Sequence, residues 1–158
     1  MGVVGRRPVA WVAAIILLAE ALGVVFVNGV LATVVRNQQM SLAGLDPAAM
    51  SAGTWAMGGV LGLYLVLCAA LLVRTAVKDL APSRLGRVVL IACAVVHGVL
   101  GAVTVGLVGW TAFAFMMVVL ALIVLVLVAY GQERGPGHRD EGPAAPPASG
   151  PAEGPAPA

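Results

Sequence analysis

Residues 88–130 read VVLIACAVVHGVLGAVTVGLVGWTAFAFMMVVLALIVLVLVAY and contain no Asp, Glu, Lys or Arg. As a single helix rising ~1.5 Å per residue, this stretch would be about twice as long as the ~30 Å hydrocarbon core of a bilayer is thick. Gly109 separates two runs that are each long enough to cross that core. The stretch therefore predicts two membrane-spanning helices joined by a tight hairpin at Gly109.

Two further apolar runs precede this stretch, and together the predicted spans are residues 9–35, 54–77, 88–109 and 111–130. The chain is 61% hydrophobic and 10% charged, with a mean hydropathy of +1.03, which lies outside the range of ordinary soluble domains. We therefore predict an all-α, polytopic membrane protein, a four-transmembrane-helix bundle formed by residues 9–130.

The flanking segments differ in composition from the spans. Residues 1–8 form a short N-terminus that is predicted to be cytoplasmic, and residues 131–158 are rich in Pro, Gly and Ala, with seven of the ten prolines of the chain. Such a tail buries too little apolar surface to offset its conformational entropy, so it is predicted to be disordered. In the first long loop, Asp46-Pro47 is typical of a helix N-cap followed by Pro at the first helical position.

The basic residues predict how the chain is threaded. Of nine Lys and Arg residues, eight fall on one side of the predicted spans and one on the other: Arg6, Arg7, Arg74, Lys78, Arg84, Arg87, Arg134 and Arg139 against Arg36. The positive-inside rule then predicts a multi-pass protein of the cell membrane with both termini in the cytoplasm. Trp11 and Tyr130 fall at the predicted inner interface, and Trp55 and Trp110 at the outer one.

Few polar residues lie within the spans, and these are the candidates for function. Glu20 and His97 each lie ten or eleven residues from the predicted cytoplasmic ends, ~15 to 17 Å deep at ~1.5 Å per residue. Tyr64 reaches a similar depth from the other side, and Asn28 lies two turns outward from Glu20. One hypothesis is a proton or solute relay with Glu20 as carrier and His97 as its partner. The other is a structural hydrogen bond between Glu20 and His97 that fixes helix register.

Small residues on the second and third spans are typical of close helix packing in membranes. They are Gly58 and Gly62 on the second span, and Gly98, Ala102 and Gly106 on the third. Gly58 and Gly62 point away from Tyr64, so the second span has two contact faces, one of which is a candidate homodimer surface. Cys68 and Cys93 lie within spans and are predicted to be packing groups.

Two resemblances bear on these residues. Leu18-Ala19-Glu20 in a first span, with four short spans and Tyr64 in the second, resembles the small multidrug resistance transporters. That resemblance implies that Glu20 is a shared site for protons and cationic drugs, with Tyr64 near it. The chain as a whole, through residues 40–47 and 94–98, is similar to uncharacterised four-span integral membrane proteins of high-GC actinobacteria, a resemblance that implies no mechanism.

The sequence carries no HExxH, CxxC, Walker A or GxGxxG motif, and its loops are short. We therefore predict no enzyme, no catalytic residues, no cofactor and no metal site. Nucleic acid is not an expected partner, because topology accounts for the basic loop. The expected partners are the lipid bilayer and either a homodimer or a larger membrane complex. Two functions remain: a small structural or accessory membrane bundle, or a proton-coupled small-molecule transporter that uses Glu20.

Overall fold

A computed structural model describes residues 5–39 and 44–131. Within them the chain forms four helices: α1 (Arg6–Asn37), α2 (Pro47–Lys78), α3 (Arg84–Leu107) and α4 (Trp110–Gly131). Residues 1–4 and the predicted disordered tail beyond Gly131 lie outside the described part. The all-α class predicted from the sequence is confirmed. Each helix begins before its predicted span, and all but α3, which ends at Leu107 rather than at residue 109, also end beyond it.

Local capping explains where α2 and α3 begin. The Asp46 carboxylate accepts a hydrogen bond from the backbone N–H of Ala48 at 2.7 Å, with Pro47 as the first helical residue, which confirms the predicted cap. As a result α2 begins at Pro47 rather than at residue 54, and the outer loop is shorter than expected. Ser83 caps α3 by accepting from the N–H of Gly86 at 3.2 Å.

The turn between α3 and α4 is the predicted hairpin at Gly109. Gly109 has φ +115°, a left-handed conformation that favours glycine, and its N–H donates to the carbonyl of Thr104 at 2.9 Å. The chain then enters α4 at Trp110. A single helix through this region is therefore excluded.

The four helices run alternately up and down and pack in a ring. The closest packing joins α1 to α2 and α3 to α4, α1 also packs on α4, and α2 and α3 approach each other least. Consequently α1 and α3 face each other across the diagonal of the bundle. The core is built from small residues of α1, such as Ala10, Ala13 and Ala14, and from larger ones such as Leu72 and Ile123.

Small residues set the closest approaches. A Cβ atom added at Gly58 would collide with Asn28, and one at Gly62 would lie 2.5 Å from Cγ2 of Val25, so both glycines serve the contact with α1. Of the two contact faces predicted for the second span, the one that carries Gly58 and Gly62 is thus covered by α1 of the same chain. Near these contacts, the buried Ser51 hydroxyl donates to the carbonyl of Ala32 at 2.9 Å.

On α3 the small residues that meet α4 differ in part from the predicted set. A Cβ at Gly98 would lie 3.4 Å from Leu120, and one at Gly101 would lie 2.7 Å from Met117. Ala102 is exposed, and a Cβ at Gly106 would meet nothing within 4 Å. At ~100° per residue, Ala102 and Gly106 are rotated by about 40° and 80° from Gly98, away from the face that α4 covers.

The outer surface of the bundle is apolar. All four helices are long and apolar enough to cross a membrane, and only 17% to 33% of the most apolar part of each helix is buried within the chain. Large side chains such as Leu22, Val60 and Leu63 are at least 70% exposed. This surface suits a hydrocarbon environment, since soluble monomers rarely expose contiguous apolar patches of more than a few hundred Å².

Candidate functional site

Glu20 and His97 meet in the centre of the bundle. Oε2 of Glu20 lies 2.9 Å from Nε2 of His97, and the two side chains are only 8% and 3% exposed. The contact bridges α1 and α3 across the diagonal, where the two backbones do not touch. The structure thus brings together two of the three residues that the sequence placed at a similar depth.

The hydrogen bond made by the other ring nitrogen of His97 shows which of the two nitrogens can exchange a proton with Glu20. Nδ1 lies 2.8 Å from the carbonyl oxygen of Cys93, and the Cys93 sulfur is 3.7 Å away. Because a carbonyl oxygen only accepts, Nδ1 carries a hydrogen and donates it. Nε2, which faces Glu20, is therefore the atom that gains or loses a proton.

One proton then holds the pair together. Either the Glu20 carboxyl group donates its O–H to a neutral imidazole, or an imidazolium donates its N–H to the carboxylate. If that proton leaves, the carboxylate faces the lone pair of Nε2, and two acceptors without a hydrogen between them repel. The contact between α1 and α3 is thus linked to the presence of one proton.

Glu20 also has an unused acceptor. Its Oε1 is buried and has no hydrogen-bond partner among residues 5–39 and 44–131. A buried oxygen without a partner costs about 1 to 3 kcal/mol, and more if it is charged. This atom is where a further hydrogen-bond donor would be most favourably accommodated.

Tyr64 and Asn28 donate their hydrogen bonds to backbone carbonyls and not to this pair. The Tyr64 hydroxyl donates to the carbonyl of Val89 at 3.0 Å and so ties α2 to α3. The Asn28 side-chain amide donates to the carbonyl of Val24 in its own helix at 2.9 Å, and its Cβ packs against Gly58. Asn28 is therefore engaged in helix packing. Cys68 and Cys93 are free and buried.

A second polar cluster closes one end of the bundle, the end at which α1 and α3 begin and α2 and α4 terminate. We call this the basic end. Arg6 donates to both carboxylate oxygens of Asp79, at 3.1 and 3.3 Å, and the Tyr130 hydroxyl donates to the same carboxylate at 3.2 Å. The guanidinium of Arg6 lies 5.1 Å from the centre of the Tyr130 ring, in cation–π range. These residues join α1, the end of α2 and α4.

The charge of Asp79 is favoured by this arrangement. The hydrogen bond from Arg6 is the main cause that holds the pKa of the Asp79 carboxyl below its usual value, and the charges of Arg6 and Arg7 and the Tyr130 hydroxyl act in the same direction. Next to it, Arg7 donates to the carbonyls of Ala76 and Val77 at 3.1 and 3.0 Å. Arg7 thus satisfies orphan carbonyls at the negative end of the α2 dipole.

Sequence reasoning did not find this cluster. Arg6 and Arg7 were explained by topology and Tyr130 by its interfacial position, although the Tyr130 side chain is fully buried. A signal was present: Asp79 is the single acidic residue in a loop flanked by four basic residues. A lone carboxylate at the end that also carries an arginine pair is a candidate ion-pair partner.

Among residues 5–39 and 44–131, no group of three His, Cys, Asp or Glu side chains is placed to hold a metal ion. No protein-family model, curated protein or solved structure is similar to this chain.

Proposed function

We propose that this chain is a multi-pass integral protein of the cell membrane, with both termini in the cytoplasm, that serves as a small structural or accessory bundle. Support comes from the apolar outer surface on all four helices and from the concentration of basic residues at one end. An accessory bundle presents such a surface to lipid and to the spans of neighbouring proteins.

The observation that carries this proposal is the closed Glu20 and His97 pair. Both side chains are more than nine-tenths buried, and each uses the other as its partner at 2.9 Å. Polar contacts between membrane helices contribute ~0.6 kcal/mol on average, with a maximum of ~1.7. A pair sequestered in this way stabilises the contact between α1 and α3, and it leaves the outer faces of the helices for other proteins.

The proposal is tested by the size of the protein in its native membrane. Membranes from the source cells are extracted directly into polymer-bounded nanodiscs, and the tagged chain is analysed by native mass spectrometry beside the same chain purified to homogeneity. We expect a defined assembly that contains other membrane proteins and that is kept by Glu20→Gln. A chain that is found only by itself in both preparations would overturn the accessory role.

A second candidate function, proton-coupled transport of a small cationic solute, is favoured by the unpartnered Oε1 of Glu20. Loss of the shared proton would separate Glu20 from His97 and free a carboxylate for a cation, while reprotonation would restore the contact. The Cys93 sulfur of α3 lies 3.7 Å from Nδ1 of His97, the ring nitrogen that does not face Glu20.

Transport is tested in proteoliposomes with an imposed pH gradient. The readouts are internal pH and uptake of a fluorescent quaternary ammonium compound, with wild type compared with Glu20→Gln. Coupled transport requires uptake that depends on the gradient in the wild type and is absent in the variant, because the amide cannot release a proton in this pH range. Equal traces for both proteins and for empty liposomes would exclude this function.

A further inference from the structure

Four basic side chains at the basic end have no partner within the described part of the chain. Arg6 and Arg7 are bound to Asp79 and to carbonyls of α2. By contrast, Arg74, Lys78, Arg84 and Arg87 make no hydrogen bond or ion pair with residues 5–39 or 44–131. Among the residues that the structure describes, basic side chains at this end therefore outnumber acidic ones.

Two of these cations line a cleft. Arg74 and Lys78, one turn apart on α2, border a cavity of about 210 Å³ between the end of α2 and the loop that leads to α3. Its other walls include Thr75 and Ser83, as well as apolar side chains such as Leu71. At ~30 Å³ per water in the liquid, the cavity has room for several waters or for one phosphate group.

The start of α3 adds to the positive potential of this cleft. Ser83, which lines the cavity, is also the N-cap of α3, so the cleft lies against the first turn of a 24-residue helix. The N-terminal end of a helix carries about half a positive charge and favours anions. Cations, a cavity and a helix terminus thus converge on one place.

A second opening begins at the same two cations. Arg74 and Lys78 also border a groove of about 500 Å³, whose remaining lining is apolar and comes from α1 and α2. Along α2 it extends from Lys78 to Val66, about 18 Å at ~1.5 Å per residue, and Leu18 of α1 forms part of its wall. The groove therefore runs away from the cations along the apolar surface, toward the middle of the bundle.

We propose that this pair of openings binds one anionic phospholipid, with its phosphate between Arg74 and Lys78 in the cleft and one acyl chain in the groove. The inference rests on the proposed membrane insertion. A cleft that holds two cations beside hydroxyl groups, and an apolar groove that shares these cations, match the division of a phospholipid into headgroup and chain. A soluble phosphate compound would use the cleft alone, since it has nothing to place in the groove.

The test measures lipid retention by native mass spectrometry on protein purified in neutral detergent. The probes are dioleoyl phosphatidylglycerol and dioleoyl phosphatidylcholine, which have the same chains, and inorganic phosphate. The site variant is Arg74→Gln with Lys78→Gln. The matched control is Arg84→Gln with Arg87→Gln, which removes the same charge at the same end.

We expect one phosphatidylglycerol to be retained, with binding weakened at least about tenfold in the site variant and less than about threefold in the control, which feels only the diffuse surface potential. Binding should return in the charge-preserving variant Arg74→Lys with Lys78→Arg. Ala70→Trp, which fills the groove, should weaken lipid binding without changing the response to phosphate.

Three results would overturn the proposal. Equal weakening in the site variant and the control would show diffuse electrostatic attraction instead of a site. Equal retention of the two lipids would show that the phosphate is not selected by charge. Displacement of the lipid by millimolar inorganic phosphate would assign the cleft to a soluble anion. Flotation of the wild type with membranes is measured separately, and its failure would overturn the proposed function instead.

Discussion

At Glu20 the chain places a carboxyl group that is more than nine-tenths buried, and the surrounding contacts show how this is tolerated. His97 supplies the partner, and the Cys93 carbonyl orients the imidazole so that Nε2 faces the carboxyl group. The Cys93 carbonyl thus fixes the orientation of the His97 ring, and the ring in turn fixes the position of the Glu20 carboxyl group. The arrangement requires one donor between Oε2 and Nε2, and it does not require that this donor be a titratable group.

Substitutions of Glu20 separate the stability that comes from the hydrogen bond to His97 from any effect of a titratable proton. Glu20→Gln supplies an amide N–H that donates to Nε2, so the free energy of unfolding should change by less than ~0.5 kcal/mol. Glu20→Met keeps the length of the side chain and removes the bond, so it should cost ~0.6 to 1.7 kcal/mol, the range for hydrogen bonds between membrane helices. Unfolding in mixed detergent micelles, followed by circular dichroism, measures both. Two variants that are both as stable as wild type would contradict a stabilising contact.

Asp79 gives a pH-dependent prediction at the same scale. Its pKa is lowered in the folded state, so its contribution to stability is present above the unfolded value of ~3.9 and is lost as the pH falls through the folded pKa. Asp79→Asn should therefore lower the melting temperature at pH 7, and this difference should shrink as the pH falls through the folded pKa of Asp79. Thermal unfolding of both proteins from pH 2 to 8 provides the comparison. A difference that is unchanged at pH 2 would mean that Arg6 does not act through the charge.

At the scale of the helices, the contact between α1 and α2 depends on glycines, which have no side chain to keep the two backbones apart. Gly58 and Gly62 let α1 approach closely, and at the neighbouring Gly59 an added Cβ would meet nothing within 4 Å. Two adjacent glycines of one helix thus have opposite environments. This pair offers a matched test of backbone approach within one turn of α2.

Gly58→Ala should destabilise the bundle by about 1 to 3 kcal/mol, because the new methyl group collides with Asn28 and α1 must shift. Gly59→Ala should be neutral or stabilising by ~0.5 to 1 kcal/mol, since it only restricts the unfolded backbone. The free energy of unfolding in mixed micelles distinguishes them. If both alanines change the free energy of unfolding equally, helix propensity and not packing determines the stability of this part of α2.

The elements were accessible from the sequence because each follows from a local rule. Apolar length located the helices, Asp46-Pro47 predicted a helix start in the loop that proved to be the start of α2, and Gly109 predicted the hairpin. The partners of Tyr64 and Asn28 were not accessible, since both donate to backbone carbonyls, which every residue possesses. The face of α3 that meets α4 also depends on helix rotation, which composition leaves open in so uniformly apolar a chain.

At the scale of the whole molecule, the distribution of charge predicts an orientation that can be measured. Leu80 lies in the loop at the basic end and Val108 in the opposite hairpin, and both are more than 60% exposed. In a Cys68→Ala, Cys93→Ala background, Val108→Cys should react with a membrane-impermeant maleimide on intact cells. Leu80→Cys should react only after lysis. The reverse pattern would place both termini outside.

The cluster of Arg6, Asp79 and Tyr130 also bears on the order of events during synthesis. Arg6 and Asp79 can meet once the first two helices have emerged, whereas Tyr130 joins them only after nearly the whole described chain has been made. The first helix pair can therefore form early and remain open on one side until the last helix arrives. α4 has few polar groups of its own. When it packs, the Tyr130 hydroxyl adds its hydrogen bond to the Asp79 carboxylate, to which Arg6 can already be bound.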